Sequence, residues 1–444
     1  LDTDSLRRIL MEAGLCVVQS GMEFARISAI EQRLQQDSAA NQFLEAAQKK
    51  LATDETPLRN ALAAFYMQSG RQGEGSIEFV HKSFGEFLCA ERIVKSLIDW
   101  CQPGRNREYD IPESEFLWGV YDVLGCHVLT PEIVEYVTAL LTKHEDARLD
   151  LLHKRLYDFY WRWGDGEFID GPPENLPQKK MRELREQIPN REEKLGQRQV
   201  DAITGLNVMI LLFELHRIGI SNLNRLDSEQ YGCRKSAYAF HPCKNPKTQN
   251  MHGERLFVTI GISNCICPYA FTVFVAPHLS NSDLSDIHLL GVDFNGSDLR
   301  NANLRNAVLC YATFDSANLS GADLRGANLF RGDFTRANLS YANLNSSDLD
   351  DSFFNDGSLL ENFPTSTDLR YADLTGTNLH FANLASVDLS GAILFFADLT
   401  EALLSDESGS MTWDKFTRWE GVKGLEKVIG LPKMLEHQLG FDRP

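Results

Sequence analysis

"GADLRGANLFRGDFTRANLSYANL", residues 321–344, decides the architecture of the C-terminal half. A step of five residues from Leu284 to Leu404 meets 25 positions, and 24 of them hold Leu or Phe, Pro364 being the exception. Two residues before each of these the side chain is mostly small, as at Ala302, Ala307, Ala312, Ala317, Ala322 and Ala327. Residues two apart on extended backbone point the same way, so the small residue and the Leu both face inward. Between them stands Asp or Asn (Asp298, Asn303, Asn318, Asp323), a side chain suited to hydrogen-bonding a nearby turn. A period of five fits neither a helix nor a flat strand, so each unit is a short extended piece plus a corner.

The aromatic residues set the length of a turn. Phe294, Phe314, Phe334 and Phe354 recur at every fourth unit, so four units make one coil and the rings stack, with Leu374 and Leu394 continuing their column. Leu299, Leu304, Leu319 and Leu324 line the same interior. At about 4.8 Å per coil the 25 units predict a rod of about six coils, on the order of 30 Å long. The units resemble the A-[DN]-[LF]-x-x repeats of the pentapeptide-repeat family over Asn281–Ser405. That resemblance implies a right-handed quadrilateral β-helix. "DGSLLENFPTSTDLR", residues 356–370, keeps the five-residue register but loses the small residues, and Pro364 cannot donate to a ladder, so a bulged corner is expected there. "WDKFTRWEGVKGLEKVIGLPKMLEHQL", residues 413–439, reads as a short helical cap over the last coil.

Composition limits the rest. The 444 residues are 43% hydrophobic and 24% charged, globular values with room for two to four domains. A net charge of −18 argues against a surface that tracks phosphates, so no direct nucleic-acid binding is expected. Nine cysteines, an odd number, read as reduced thiols. Val208–Phe213 and Tyr269–Ala276 are too short to span a bilayer, and the expectation is a soluble, cytoplasmic chain without membrane contact. Leu1 in place of an initiating Met suggests a fragment or a processed product.

Residues 99–225 read as helical. "DARLDLLHKRLYDFYWRW", residues 146–163, puts Leu149, Leu152, Leu156, Phe159 and Trp163 on one face, and the nearby Tyr157, Tyr160 and Trp161 read as packing. "AITGLNVMILLFELHRIG", residues 202–219, is a core helix. Residues 226–280 form a connecting cap segment in which Cys233, His241, Cys243, His252, Cys265 and Cys267 crowd together. Zinc sites usually pair ligands as C-x2-4-C. The pairs here, His241 with Cys243 and Cys265 with Cys267, have one residue between them, so buried thiols are the expectation and a metal the alternative. No G-x-x-x-x-G-K-[ST], H-E-x-x-H or G-x-S-x-G motif occurs, so neither catalysis nor a cofactor is expected in this chain.

Residues 1–98 end in "FVHKSFGEFLCAER", residues 79–92. An extended segment near Gln68, the turn "SGRQGEGS", a strand over Ile77–Val80 and a helix opening near Ser83 suggest a winged helix. Phe79, Phe84, Phe87 and Leu88 are expected on one face, with His81 just outside. The phrase F-x-H-K-S-F-x-E-F is similar to the winged-helix segment of NACHT-type STAND NTPases. In that family the matching histidine, here His81, contacts the β-phosphate of bound ADP. The helical region and the rod likewise resemble the downstream half of bacterial, particularly cyanobacterial, NACHT proteins with pentapeptide repeats. The resemblance implies a non-enzymatic regulatory and recognition half of a signalling switch, whose rod meets a protein partner and whose NTPase module lies N-terminal to Leu1 or on another subunit. The alternatives are a nucleic-acid mimic that occupies a topoisomerase, since residues 281–405 carry 17 Asp/Glu against 6 Arg, and a purely structural spacer.

Overall fold

The computed structural model describes residues 3–21, 24–35, 67–69, 76–105, 107–144, 147–169, 174–187, 195–224, 238–349, 367–405 and 410–440. The chain forms two compact units, Leu1–Ile218 and Gly219–Pro444.

The first unit begins with helix α1 (Thr3–Ser20), strand β1 (Phe24–Arg26) and helix α2 (Ile27–Gln35), followed by strands β2 (Met67–Ser69) and β3 (Ser76–Phe79) and helix α3 (Lys82–Trp100). The three strands pair antiparallel in the order β1-β3-β2. Ile9, Ala13, Val17, Ile30, Ile77, Phe79 and Leu88 form the core between this sheet and the helices, with Phe84 packed on its margin. The sequence places Phe87 on the same face, but its ring meets Tyr136 edge-on at 5.6 Å instead, because α3 packs against a second set of helices on that side. Gly14 lets α1 and α3 approach: a Cβ there would lie 2.7 Å from Leu88 Cβ. The turn predicted over residues 70–75 lies outside the described residues.

The helices that follow are α4 (Glu113–Leu124), α5 (Pro131–Leu141), α6 (Leu149–Gly164), α7 (Leu176–Gln187) and α8 (Gln197–Asn224). On α6, Leu149, Leu152, Leu156, Phe159 and Trp163 are all buried, and so are Tyr157, Tyr160 and Trp161. Trp163 lies across Gly205 of α8 and donates from Nε1 to the Asp201 carbonyl, 3.0 Å away. Gln197–Ser221 of α8 is long and apolar enough to cross a membrane, and 94% of its most apolar window is buried inside the fold. Asn207, an amide within the apolar run, is satisfied by the carbonyls of Leu124 and His127 and the N–H of Leu129. The sequence separates residues 1–98 from 99–225. Residues 1–98 and 99–218 lie in the one compact unit, where buried ion pairs tie α1 and α2 to α4 and α7.

The second unit carries helices α9 (Arg255–Ser263) and α10 (Ala270–Phe274), the rod, and helix α11 (Lys433–Gln438). Each described rod unit takes part in parallel bridges, and successive bridges on one side run Asp283, Asn303, Asp323, Asn343, Asn378, Asp398 and Lys423. Up to Asn343 each bridge joins a unit to the fourth one after it, confirming four units per coil. Every pair that crosses the middle of the rod spans seven units instead: Asp333 with Asp368, Asn338 with Asp373, Asn343 with Asn378 and Asp348 with Asn383.

That skip corrects the aromatic column. Phe294 and Phe314 stack at 5.3 Å, Phe314 and Phe334 at 4.6 Å, and the next N–H···O bond joins Phe334 to Asp368, so Leu369 follows Phe334. Leu374 stacks over Leu339, on another side. The five-residue ruler conceals this because the skip is three whole units. Phe354 and Pro364 lie outside the described residues.

The predicted helical cap is a further correction. Thr412, Arg418, Lys423 and Ile429 bridge the coil before them, so the rod runs past residue 405 through another coil with Met411, Trp419, Leu425 and Val428 buried. Within the predicted cap, α11 alone is helical among the described residues. The units in this coil are five or six residues long and lack the Ala-Asp-Leu pattern, which hid them from the period.

Candidate functional site

His81 sits at the N-cap of α3 with extended backbone (φ −121°, ψ 121°) and its side chain makes no capping hydrogen bond. It is exposed, and its carbonyl accepts from Phe84 N–H at 3.1 Å. The imidazole therefore belongs to the residue that opens a helix, an end where an anion is favoured. Phe79 and Leu88 anchor both flanks, which fixes the backbone without burying the ring.

A cleft of about 650 Å³ opens elsewhere in the first unit, lined among others by Arg7, Arg33, Arg92, Trp118 and Asp122. Its floor is a buried charge network. Arg33 donates Nη1 and Nη2 to Asp122 at 2.7 Å each and Nε to Glu12 at 2.8 Å. Lys180, fully buried, donates to Asp122 Oδ1 at 2.7 Å, and Arg92 pairs with the other oxygen of Glu12. Burial opposes ionisation of Asp122, yet Arg33 and Lys180 outweigh it and hold the carboxyl well below the usual carboxylate range. Glu12 is lowered in the same way, against burial, by Arg33 and Arg92. Every cation of this floor is spent on a carboxylate, so the arrangement clamps helices together. Sequence reasoning missed it; the one visible signal was Asp122 within the apolar run "FLWGVYDVLG" of α4.

In the cysteine-histidine segment His241 and Cys243 serve backbone groups. His241 accepts the Cys243 N–H at Nδ1 (3.1 Å), so Nε2 carries the proton that bonds the Ser285 carbonyl at 2.7 Å. Burial lowers its pKa, in keeping with that neutral form. The Cys243 thiol, pushed up to about 11 by burial, points to the Gly253 carbonyl. Cys265 is exposed and Cys267 half-buried, and among the described residues no three His, Cys, Asp or Glu side chains are grouped to hold a metal. Cys233 lies outside the described residues. The segment instead closes the first coil on all four sides. His241 serves the Ser285 carbonyl, Gly253 the His288 N–H, Thr272 the Asp293 carbonyl, and Ala276 the Asp298 N–H.

On the rod, Phe294, Phe314, Phe334, Leu299, Leu304, Leu319 and Leu324 are all buried. The Asp or Asn before each Leu accepts the N–H two residues on, as Asp298 does from Arg300 at 3.2 Å and Asn318 from Ser320 at 3.1 Å. Arginines in the following slot turn back onto those carboxylates, pairing Arg300 with Asp298, Arg325 with Asp323 and Arg370 with Asp368. Several aromatic side chains, among them Tyr341, Tyr371, Phe381 and Phe396, face outward and are exposed.

Comparison with known proteins identifies the repeat. The family model for pentapeptide repeats matches eight copies, over residues 278–310, 317–356 and 367–406. No curated protein matches the chain. Among solved structures, a pentapeptide repeat protein from the Arabidopsis thaliana thylakoid lumen is 25% identical, covering 26% of this chain and 67% of its own, with a TM-score of 0.20. Rfr23, a pentapeptide repeat protein from the cyanobacterium Cyanothece 51142, is 23% identical over 30% of this chain and 91% of its own (TM-score 0.19). HetL from Nostoc sp. strain PCC 7120, a pentapeptide repeat protein involved in heterocyst differentiation regulation, is 26% identical over 34% and 81% (TM-score 0.14).

Proposed function

From a C-terminal pentapeptide-repeat region, and hence a right-handed β-helix of a protein-interaction type, we propose that the chain is the non-enzymatic regulatory and recognition half of a STAND-type switch. The rod is its interaction surface, and the N-terminal half is a winged helix followed by a helical relay. The observation that carries this reading is His81, exposed at the open N-terminus of α3 directly after a hairpin whose second strand takes the centre of the sheet. A phosphate brought there by a nucleotide-binding module, N-terminal to Leu1 or on another subunit, would meet both the helix start and the imidazole. The reading needs no cofactor within this chain and places it in the cytoplasm.

His81→Ala separates the sensing role from a structural one. Because the ring is exposed, the melting temperature of this chain is expected to stay nearly unchanged, while ADP held by the complete assembly dissociates faster. An unchanged ADP affinity, or a chain that melts many degrees lower, would overturn the sensing role. A second reading, a nucleic-acid mimic, is favoured by the 17 Asp/Glu against 6 Arg over residues 281–405. Inhibition of gyrase supercoiling by the chain would favour it over the switch.

A further inference from the structure

We propose that one edge of the rod, from Tyr341 to Phe396, is a docking surface for a cationic polypeptide, an Arg- or Lys-rich stretch of a protein partner. The inference rests on reading the rod as a protein-interaction surface and names the place and the chemistry.

The residue two after each inward Leu turns a corner of the coil. On the corner that follows Leu339, Leu374 and Leu394 the stack reads Tyr341, Gly376, Phe396, Gly421, as successive N–H···O bonds from Tyr341 to Thr375, Gly376 to Phe395 and Phe396 to Glu420 establish. On the corner that opens the same side, Tyr371 is followed by Gly391. Each of these rings lies across the bare glycine of the next coil. A Cβ on Gly376 would fall 2.7 Å from Tyr341 Cδ1, on Gly391 2.5 Å from Tyr371 Cδ1, and on Gly421 2.6 Å from Phe396 Cδ1. All three glycines have positive φ (65°, 71° and 74°), so the corner conformation and the room for the ring both favour glycine. Phe381, one corner further round, is held differently, stacked on His380 at 4.1 Å.

The rings are fixed yet open, with Tyr341 72%, Tyr371 59% and Phe396 64% exposed. An aromatic side chain already held in one position loses little entropy on binding, which is the property of an interface anchor. The surroundings select the partner. Asp373 lies on the side between the two corners and Asp398 on the side that follows Phe396, and neither forms an ion pair with a described residue. Asp373 and Asp398 each accept the N–H two residues on and keep a second oxygen for a ligand. Lys423 is bridged to Asp398 in the next coil, and the arginines nearby, Arg370 and Arg418, are paired with Asp368 and Glu420. An apolar partner would bury these carboxylates uncompensated, and a nucleic acid would be repelled by them. A guanidinium or ammonium group satisfies the carboxylates and covers the ring faces together. The rod already shows the contact internally, with Arg418 over the ring of Phe395 at 5.6 Å on this same side.

The test titrates the full chain with an oligo-arginine peptide, using oligo-glutamate of equal length as the control. Oligo-arginine is expected to bind and oligo-glutamate not. Tyr341→Ala and Phe396→Ala, which leave the net charge unchanged, are each expected to weaken binding about three- to tenfold. Leu290→Ala, an exposed apolar residue elsewhere on the rod, should have no effect. Circular-dichroism melts of the variants confirm that the rod is intact. Absence of binding, or binding that the ring variants leave within about twofold, would overturn the proposal. If a protein partner binds the chain and ignores both ring variants, this edge is ruled out while the interaction reading stands.

Discussion

Asp122 is the residue on which the first unit turns, because three helices meet at its carboxylate. It accepts from Arg33 of α2 and Lys180 of α7 while projecting from α4. Removing its charge leaves Lys180 buried without its carboxylate and Arg33 with Glu12 alone, a loss of the kind that costs about 3–5 kcal/mol. Asp122→Asn is therefore expected to lower the denaturant midpoint of the first unit strongly. Lys180→Met, which removes one cation while Arg33 keeps both of its bonds to Asp122, should cost less. Equal losses in the two melts would count against this ordering. None of these partners was legible in the sequence, since Arg33, Asp122 and Lys180 are far apart in the chain and each sits in an ordinary helical pattern. His81 was legible, because a local phrase and a helix start placed it. His241 and Cys243 were half legible: their crowding was visible, but which backbone groups they serve depends on how the cap folds over the first coil.

At the level of the coil, stability comes from the interior column. Phe314 is stacked on both sides, by Phe294 and Phe334, so Phe314→Ala opens a cavity between two rings and is expected to cost about 3–5 kcal/mol in a denaturant melt. A double-mutant cycle on Phe314 and Phe334 should give a coupling of about 0.5–1.5 kcal/mol. The same cycle on Phe314 and Leu374 should give none, since Leu374 belongs to the column of Leu339. The period of five was fully legible, because most units repeat one small residue, one Asx and one Leu or Phe. The skip was not, because three whole units leave the pattern in step. It also hid the glycines beneath the rings. Gly376 follows Tyr341 across the skip, Gly391 follows Tyr371 within the regular coils, and Gly421 follows Phe396 into the irregular last coil, so no single period links ring to glycine. That last coil escaped for the opposite reason. Its bridges join Asp388 to Thr412, Ile393 to Arg418, Asp398 to Lys423 and Leu403 to Ile429, intervals longer than the regular coil and unequal among themselves, with no repeating motif to mark them.

Across the whole molecule the two units answer differently to acid. Glu12 and Asp122 have lowered pKa values in the folded first unit, so they bind protons more readily when unfolded. Their contribution is complete above the ordinary carboxylate range of about 4 and falls away as pH drops below it. Lys180 and Arg33 are raised, and their contribution is lost only at strongly alkaline pH. The rod's interior is mainly hydrocarbon with a few buried Ser and Thr, and its lowered carboxylates, Asp315, Asp398 and Asp414, lie partly exposed outside it. Four of the six tryptophans, Trp100, Trp118, Trp161 and Trp163, lie in the first unit. Their fluorescence is expected to report unfolding at a milder acid pH than the loss of the rod's β-sheet circular dichroism. Simultaneous transitions would contradict this. The ladder that spans seven units where its neighbours span four carries one more consequence. Leu369 takes the side of Phe334 although seven units separate them, so a surplus of three units turns nothing downstream, whereas in the stretch where every bridge spans four units the side advances by a quarter turn per unit. Excising residues 322–326 would then leave a folded rod whose aromatic edge emerges on a different side, whereas removing four units would shorten it by one coil and restore the original azimuth. The direction in which the rod offers its rings thus follows the ladder, which counts units in fours only where its bridges span four.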